Sequence, residues 1–151
     1  MRRHLVILAA TIALATAASS AYAHHSHPFF YDSCRAMTIE GRVERVEFKD
    51  PHSVIFLRLD NGTVYTVDWA GLRGLTNNGW LGPAKASLVF GARVAVTGNP
   101  IRTLAQIREH FPDYNSAVNP NTIDPVLIRR VDSSWNWALQ PGPNPPNCDR
   151  Q

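Results

Sequence analysis

Short segments of alternating polar and apolar residues constrain the fold of this chain most. Residues 38–48 alternate, and the phase slips near Glu44 and Arg45, which predicts a long, curved first strand with a β-bulge. Asp50 and Pro51 end this strand, because proline cannot donate a hydrogen bond to a β-ladder. The pattern therefore favours a sheet that starts with one long strand.

Four further strands follow from the same kind of pattern. Residues 53–59 and 63–69 flank an Asp-Asn-Gly turn, in which Asn-Gly readily supplies the positive φ angles of a tight hairpin. Residues 93–97 predict the fourth strand and residues 126–131 the fifth. The intervening segment 112–125 is rich in Asn and Pro and is interpreted as a loop.

The remaining connections have limited helical character. Residues 72–77 have room for one or two helical turns, residues 83–90 are helical or extended, and residues 104–111 favour a short helix. We therefore predict an all-β fold, a small five-stranded OB-like barrel with a short helical connector and an irregular C-terminal tail. Closure into a barrel removes the sheet edges that short strands would otherwise expose. A small open β-sandwich is the alternative.

The N-terminus has the composition of a secretory signal. Basic residues precede an apolar run over residues 5–18, which is too short to span a bilayer. Ala-Tyr-Ala at residues 21–23 is an A-x-A cleavage site. We therefore expect residues 1–23 to be a signal peptide that is cut after Ala23, and the mature protein to be periplasmic or secreted.

Cleavage determines the size of the folded chain. Removal of the signal from the 151 residues leaves 128, which is the size of one domain. We expect an OB-like domain with an N-terminal arm over residues 24–140 and a proline-rich tail over residues 141–151. No other apolar stretch of the sequence approaches the length of a membrane span, so we expect none in the mature chain.

Charge and motifs limit the classes of function. Arg2 and Arg3 leave with the signal, so 13 of the 15 basic side chains remain against 12 acidic ones, a balance of +1 with neutral histidines. Without a basic stripe we expect no nucleic-acid partner. The sequence has no G-x-S-x-G, Walker, H-E-x-x-H or dinucleotide motif. It therefore favours a non-enzymatic binding or accessory module over an enzyme, including an enzyme that acts through a metal.

The expected state of the two cysteines depends on the compartment to which the protein is exported. Cys34 and Cys148 are too far apart for a C-x-x-C redox motif or a zinc knuckle. In an oxidising compartment we expect them to form a disulfide. Closing so long a loop is worth roughly 4–5 kcal/mol in the chain-entropy model. Two separate thiols are the alternative, since pairing does not follow from sequence.

Histidines are the main candidates for chemistry. After cleavage His24 offers a metal both its ring nitrogen and its α-amine, and His25 and His27 follow closely. His52 lies at the corner between the first two predicted strands. Imidazole and amine nitrogens suit copper and zinc, and Asp32 can add a carboxylate ligand or accept a ring N–H. The alternatives are a flexible polar arm and a histidine that only caps a strand corner.

Large aromatic side chains allow two interpretations. OB-like barrels often bind ligands on an aromatic face, so these rings can line a groove. They can equally fill the interior of a small barrel and cover its ends, which is the more common role of such residues. The aromatic residues concerned are Trp69, Trp80, Trp135, Trp137, Phe29, Phe30 and Tyr31.

Several short motifs fall in the order of a known family. HHS at the mature start, GRVERVEFKDPH, NGWL and FGARVAVTGNP over residues 24–101 resemble the small exported bacterial proteins of the domain of unknown function 6152. That family's pattern has Trp, Asn and Asp where this chain has Phe48, Asp50 and Ala92. The resemblance implies a periplasmic OB-like domain and no established activity. The matching positions are His24, His25, Ser26, Pro51, His52, Gly79, Trp80 and Gly98.

Overall fold

A computed structural model describes residues 27–139 and Cys148. The predicted signal peptide, His24, His25 and the rest of the predicted tail lie outside the described residues. None of the described helices is long and apolar enough to cross a membrane.

Six strands and four short helices form the described chain. In chain order they are α1 (His27–Phe30), β1 (Met37–Glu47), β2 (His52–Arg58), β3 (Val64–Ala70), α2 (Leu72–Asn77), α3 (Leu81–Ser87), β4 (Arg93–Pro100), α4 (Leu104–His110), β5 (Thr122–Arg130) and β6 (Asn136–Ala138).

All six strands belong to one sheet in the order β3-β2-β1-β4-β5-β6, in which every neighbouring pair is antiparallel. A parallel pairing joins β3 to β5, with Thr66 opposite Thr122 and Val67 opposite Ile123. The first five strands are therefore hydrogen-bonded in a ring. The fold is mostly β as predicted, but β6 adds a strand to the expected five.

Two local predictions about strands β1 to β3 are confirmed. The pairing of β1 with β2 shifts register between Val43 and Arg45, which is the predicted bulge. In the hairpin that follows, Gly62 has a φ of +85°, and the Leu59 N–H donates to the Thr63 carbonyl over 2.9 Å. The first three strands are therefore arranged as the sequence indicated.

Strand β5 begins at Thr122, four residues before its predicted start. Pro125 belongs to the segment 112–125, which its Asn and Pro content predicted to be a loop. In the structure Pro125 lies opposite Gly98, where the register with β4 shifts. A Cβ atom on Gly98 would overlap the carbonyl oxygen of Asp124, so this close approach requires glycine. The irregular register therefore accommodates the proline inside a strand.

Replacing Gly98 with alanine should destabilise the fold by about 1–3 kcal/mol, because backbone atoms on β5 would have to move. Gly74→Ala in α2 is the matched control, since nothing lies within 4 Å of its added Cβ. It should be neutral or stabilising by up to about 1 kcal/mol. Urea denaturation of both variants measures the difference, and equal stabilities would contradict the close packing of β4 against β5.

The interior of the ring is apolar. Trp69 and Trp137 are 1% and 7% exposed and meet edge to face, with ring centroids 5.4 Å apart. Trp80 and Trp135 are partly buried against the same core. The interpretation of these tryptophans as core residues is therefore confirmed. Among the described residues, the largest fully buried side chains are Val43, Ser53, Ile55, Leu57, Val67, Trp69, Leu75, Val94, Val96, Ile107, Ile123 and Ile128.

The N-terminal arm is fixed to the rest of the domain. A disulfide joins Cys34 to Cys148, with Cα atoms 5.5 Å apart, which confirms the predicted pairing. The Arg102 N–H donates to the Phe30 carbonyl over 2.8 Å, and the Phe30 ring stacks on Phe111 at 5.6 Å. These contacts hold α1 beside the segment that follows β4.

Candidate functional site

The parallel seam between β3 and β5 brings two carboxylates together. Asp68 and Asp124 directly follow Val67 and Ile123, which are paired across this seam. Among residues 27–139, neither carboxylate forms an ion pair with a lysine or arginine, and each contacts a histidine instead. The site is therefore built from two histidine–aspartate contacts side by side.

The first contact links His52 to Asp68. His52 begins β2 opposite Ala70 on β3, and Asp68 lies on the same face two residues earlier. His52 Nδ1 is 2.9 Å from Asp68 Oδ1, and the Tyr31 hydroxyl donates to Oδ2 over 2.6 Å. Burial is the main cause that raises the pKa of Tyr31 above its usual range, and this hydrogen bond is the second. The hydroxyl therefore remains a donor, and Asp68 is held from both sides.

The second contact links His27 to Asp124. His27 Nδ1 is 3.3 Å from Asp124 Oδ2. The His27 ring stacks against two others, with its centroid 5.1 Å from that of His52 and 5.6 Å from that of Tyr31. The arm that carries His27 therefore reaches the corner histidine.

These contacts leave the same nitrogen available on both rings. In a neutral imidazole whose Nδ1–H faces a carboxylate, Nε2 carries the lone pair, and such a carboxylate contact orients histidine ligands in metal sites. His27 and His52 both have Nδ1 next to a carboxylate oxygen, at 3.3 Å and 2.9 Å. In the described part of the chain, no three His, Cys, Asp or Glu side chains are grouped to hold an ion together. The described residues thus offer two imidazole donors.

Asp32 is not brought to this pair. It is 7% exposed, its Oδ1 accepts the Cys34 N–H over 3.2 Å, and it lines other cavities beside Arg35 and Gln106. His110 is also elsewhere, on the exposed side of α4 against the Phe29 ring at 5.0 Å. Of the candidates predicted from sequence, the structure thus brings together His27 and His52.

Sequence reasoning missed the two aspartates and Tyr31. Asp68 fitted the polar face of an alternating strand, and Asp124 stood next to a proline in a predicted loop. Their proximity depends on the parallel pairing of β3 with β5, which has no local sequence signal.

A cavity of about 480 Å³ adjoins the histidine pair. His27, His52 and Asp124 form its polar part. Its volume is within the range of small-molecule sites. The apolar part of its lining comprises Pro51, Trp69, Ala70, Pro125, Trp137 and Leu139.

The pKa of His27 is raised from its ordinary value of 6.5, mainly by the hydrogen bond to Asp124 and against the opposing effect of burial. In metal-free protein, nuclear magnetic resonance titration should therefore give a midpoint above 6.5 for His27. Protonation of His27 then stabilises the fold fully below pH 6.5, and this contribution is lost as the pH rises through the folded midpoint. Asp124→Asn should lower the midpoint; an unchanged midpoint would contradict the contact.

The described residues define a mostly β protein whose sheet seam carries two histidine–aspartate contacts beside an apolar cavity. The chain belongs to the Family of unknown function (DUF6152), whose family model matches residues 11–107. The matched range includes His27, His52 and Asp68 and ends before Asp124. No curated protein and no solved structure matches the chain. The resemblance found in the sequence is thereby confirmed, with no specific biochemical function attached.

Proposed function

We propose that the protein is an exported metal-binding module that holds one copper or zinc ion between His27 and His52. One observation carries this proposal: the two rings are stacked with their centroids 5.1 Å apart, and each Nδ1 contacts its own carboxylate. Imidazole nitrogens are common ligands of copper and zinc. The two rings are therefore neighbouring imidazoles, each with a carboxylate at Nδ1.

Charge supports a divalent cation. Asp68 and Asp124 are only 24% and 20% exposed, and within residues 27–139 no lysine or arginine pairs with them. Two protons on the histidines or one divalent ion can balance the two carboxylates. A metal ion binds imidazole only after this extra proton has left, so the affinity should rise with pH over the titration range of histidine.

The sequence places a further donor within reach. His24 precedes His27 by three residues, and three residues of extended chain span at most about 11 Å. After cleavage, the α-amine and the ring of His24 each offer a nitrogen, and we expect at least one of them to bind. Nitrogen donors of this kind bind Cu(II) more tightly than Zn(II). His25 is the alternative donor in the same segment.

An OB-like barrel is the architecture we propose for this module. The ring order β1-β2-β3-β5-β4 and the two helices between β3 and β4 support it. The bulged β1, which pairs with both β2 and β4, supports it further. Barrels of this kind commonly bind ligands on one face and its loops. An experimental structure with an open seam between β3 and β5 would favour the sandwich instead.

Export is the second part of the proposal. It is supported by the signal-like residues 1–23 and by the Cys34–Cys148 disulfide, since disulfides persist in oxidising compartments. N-terminal sequencing of protein isolated from the cell envelope or the medium tests it. We expect a mature chain that starts at His24, and recovery of the uncleaved chain from the cytosol would contradict export.

Metal titration tests the binding function. Mature protein that starts at His24, titrated with Cu(II) and with Zn(II) against a competing chelator, should bind one equivalent of either ion. His27→Ala should weaken binding at least about a hundredfold, since loss of an orienting contact alone costs 10–100-fold. His110→Ala removes a histidine outside the pair and is the matched control. Equal affinities of the His27→Ala variant and the unaltered protein would contradict the proposal.

One extra N-terminal residue tests the contribution of His24. The extension converts its α-amine into an amide and should weaken Zn(II) binding at least about tenfold. Zn(II) is the appropriate ion, because Cu(II) can displace amide protons and create a new site. An unchanged Zn(II) affinity would exclude the terminal amine as a ligand and leave the ring of His24 or His25 as the further donor.

A further inference from the structure

We infer that the cavity beside the histidine pair binds a small amine in its protonated form, with the ammonium group on Asp124 and an aromatic body against the apolar wall. This binding needs no metal ion, so it is a function separate from the metal site proposed above. The described residues supply both halves of the site, a carboxylate oxygen without a partner and an apolar surface next to it.

The two carboxylates of the site differ in the partners of their oxygens. Asp68 has a partner for each, because Oδ1 lies 2.9 Å from His52 Nδ1 and Oδ2 accepts the Tyr31 hydroxyl over 2.6 Å. Asp124 Oδ2 lies 3.3 Å from His27 Nδ1, whereas within residues 27–139 its Oδ1 has no hydrogen-bond or ion-pair partner and remains accessible to solvent. Asp124 also lines the cavity. A ligand in the cavity can therefore donate to this oxygen.

Charge favours an ammonium group as the donor. Among the described residues no lysine or arginine lines the cavity, and none pairs with Asp68 or Asp124. The two carboxylates therefore leave the site negative unless both histidines are protonated. Hydrogen bonds between ionised partners are roughly twice as strong as those between neutral ones. An ammonium group thus gains more here than a hydroxyl, and a carboxylate ligand is repelled.

The rest of the cavity wall suits the body of an aromatic amine. Trp69 and Trp137 meet edge to face at 5.4 Å in this wall, and a ligand ring extends such a cluster favourably. Leu139 also lines the cavity and is 55% exposed, so covering it removes apolar surface from water. The volume of about 480 Å³ is typical of small-molecule sites. The ligand class is therefore a small arylalkylamine rather than an inorganic cation.

Three probes with the same phenyl ring test the recognition of the ammonium group. They are 2-phenylethylamine, 2-phenylethanol and 3-phenylpropionate, titrated by calorimetry into mature protein that has been dialysed against a chelator. The amine should bind at least about tenfold more tightly than the alcohol, because a charged hydrogen bond replaces a neutral one. The carboxylate should bind most weakly. Methylamine, which lacks the ring, should bind at least about tenfold more weakly than 2-phenylethylamine.

Matched variants locate the two halves of the site. Asp124→Asn should reduce the affinity for the amine to that for the alcohol, because the side chain keeps its size and loses its charge. Asp113→Asn is the control, since Asp113 is an exposed carboxylate that does not line the cavity. It should leave both affinities unchanged. Leu139→Ser should weaken the binding of amine and alcohol by a similar factor, and circular dichroism verifies that each variant is folded.

The outcomes separate this inference from the proposed metal site. Equal affinities for the amine and the alcohol, or no binding of any probe, overturn the inference. A preference for the amine that survives Asp124→Asn also overturns it, as does binding that Leu139→Ser leaves unchanged. None of these results bears on the metal site, and failure to bind Cu(II) or Zn(II) leaves amine binding intact, because every titration uses metal-free protein.

Discussion

Replacing both Cys34 and Cys148 with serine should lower the free energy of unfolding of the mature protein by about 4–5 kcal/mol. The disulfide closes a loop with a sequence separation of 114, so its loss greatly increases the conformational freedom of the unfolded chain. Since small domains are stable by only about 5–15 kcal/mol, this is a large share of the total. Urea denaturation of the variant and the oxidised protein measures the difference.

A control separates the cross-link from the substitutions. The unaltered protein, unfolded in the presence of a thiol reductant, should match the double serine variant, because both lack the same constraint. If both are as stable as the oxidised protein, the pairing of Cys34 with Cys148 contributes no stability. That result would contradict the structural role assigned to the disulfide.

Zn(II) at a free concentration one hundred times its dissociation constant should raise the free energy of unfolding by about 2.7 kcal/mol. His52→Ala should remove nearly all of this gain at the same zinc concentration. The substitution deletes one of the two described imidazole donors, while the Tyr31 hydroxyl still donates to Asp68. Thermal or urea unfolding with and without zinc measures the gain.

His110→Ala provides the comparison for that experiment. Its ring packs on Phe29 rather than beside His52, so the zinc-dependent gain in this variant should equal that of the unaltered protein. A gain that persists in His52→Ala and disappears in His110→Ala would place the ion elsewhere. Equal gains in all three proteins would exclude His52 as a ligand.

The sequence predicted much of the sheet because its signals there are local. Alternation marked β1 to β4, the phase slip marked the bulge before Arg45, and Asn-Gly marked the hairpin at Gly62. The start of β5 was missed because residues 112–125 are rich in Asn and Pro, which is typical of a loop. Pro125 enters the ladder at the irregular register opposite Gly98. β6 is three residues long, too short for a periodic pattern to be recognised.

The sequence predicted the histidines of the candidate site but not their carboxylate partners. His27 and His52 stood out by residue type and by position near a terminus and a strand corner. Their carboxylate partners, Asp68 and Asp124, become neighbours only when β3 and β5 pair across a long separation in sequence. Neither the composition nor the spacing of residues predicts the pairing of β3 with β5. The sequence therefore suggested Asp32, the acidic residue of the arm, as the carboxylate partner of the histidines. In the structure Asp68 and Asp124 have that position.

The most direct test of a metal site formed by both His27 and His52 is a count of the imidazole ligands. Pulsed electron paramagnetic resonance of the Cu(II)-loaded mature protein provides this count. Electron spin echo envelope modulation detects the remote ring nitrogen of each coordinated imidazole, which for His27 and His52 is the nitrogen that faces a carboxylate. We expect the modulation to report at least two imidazoles, one fewer in His27→Ala and in His52→Ala, and no change in His110→Ala. Modulation that is unchanged in both His27→Ala and His52→Ala would contradict a metal site between these two residues.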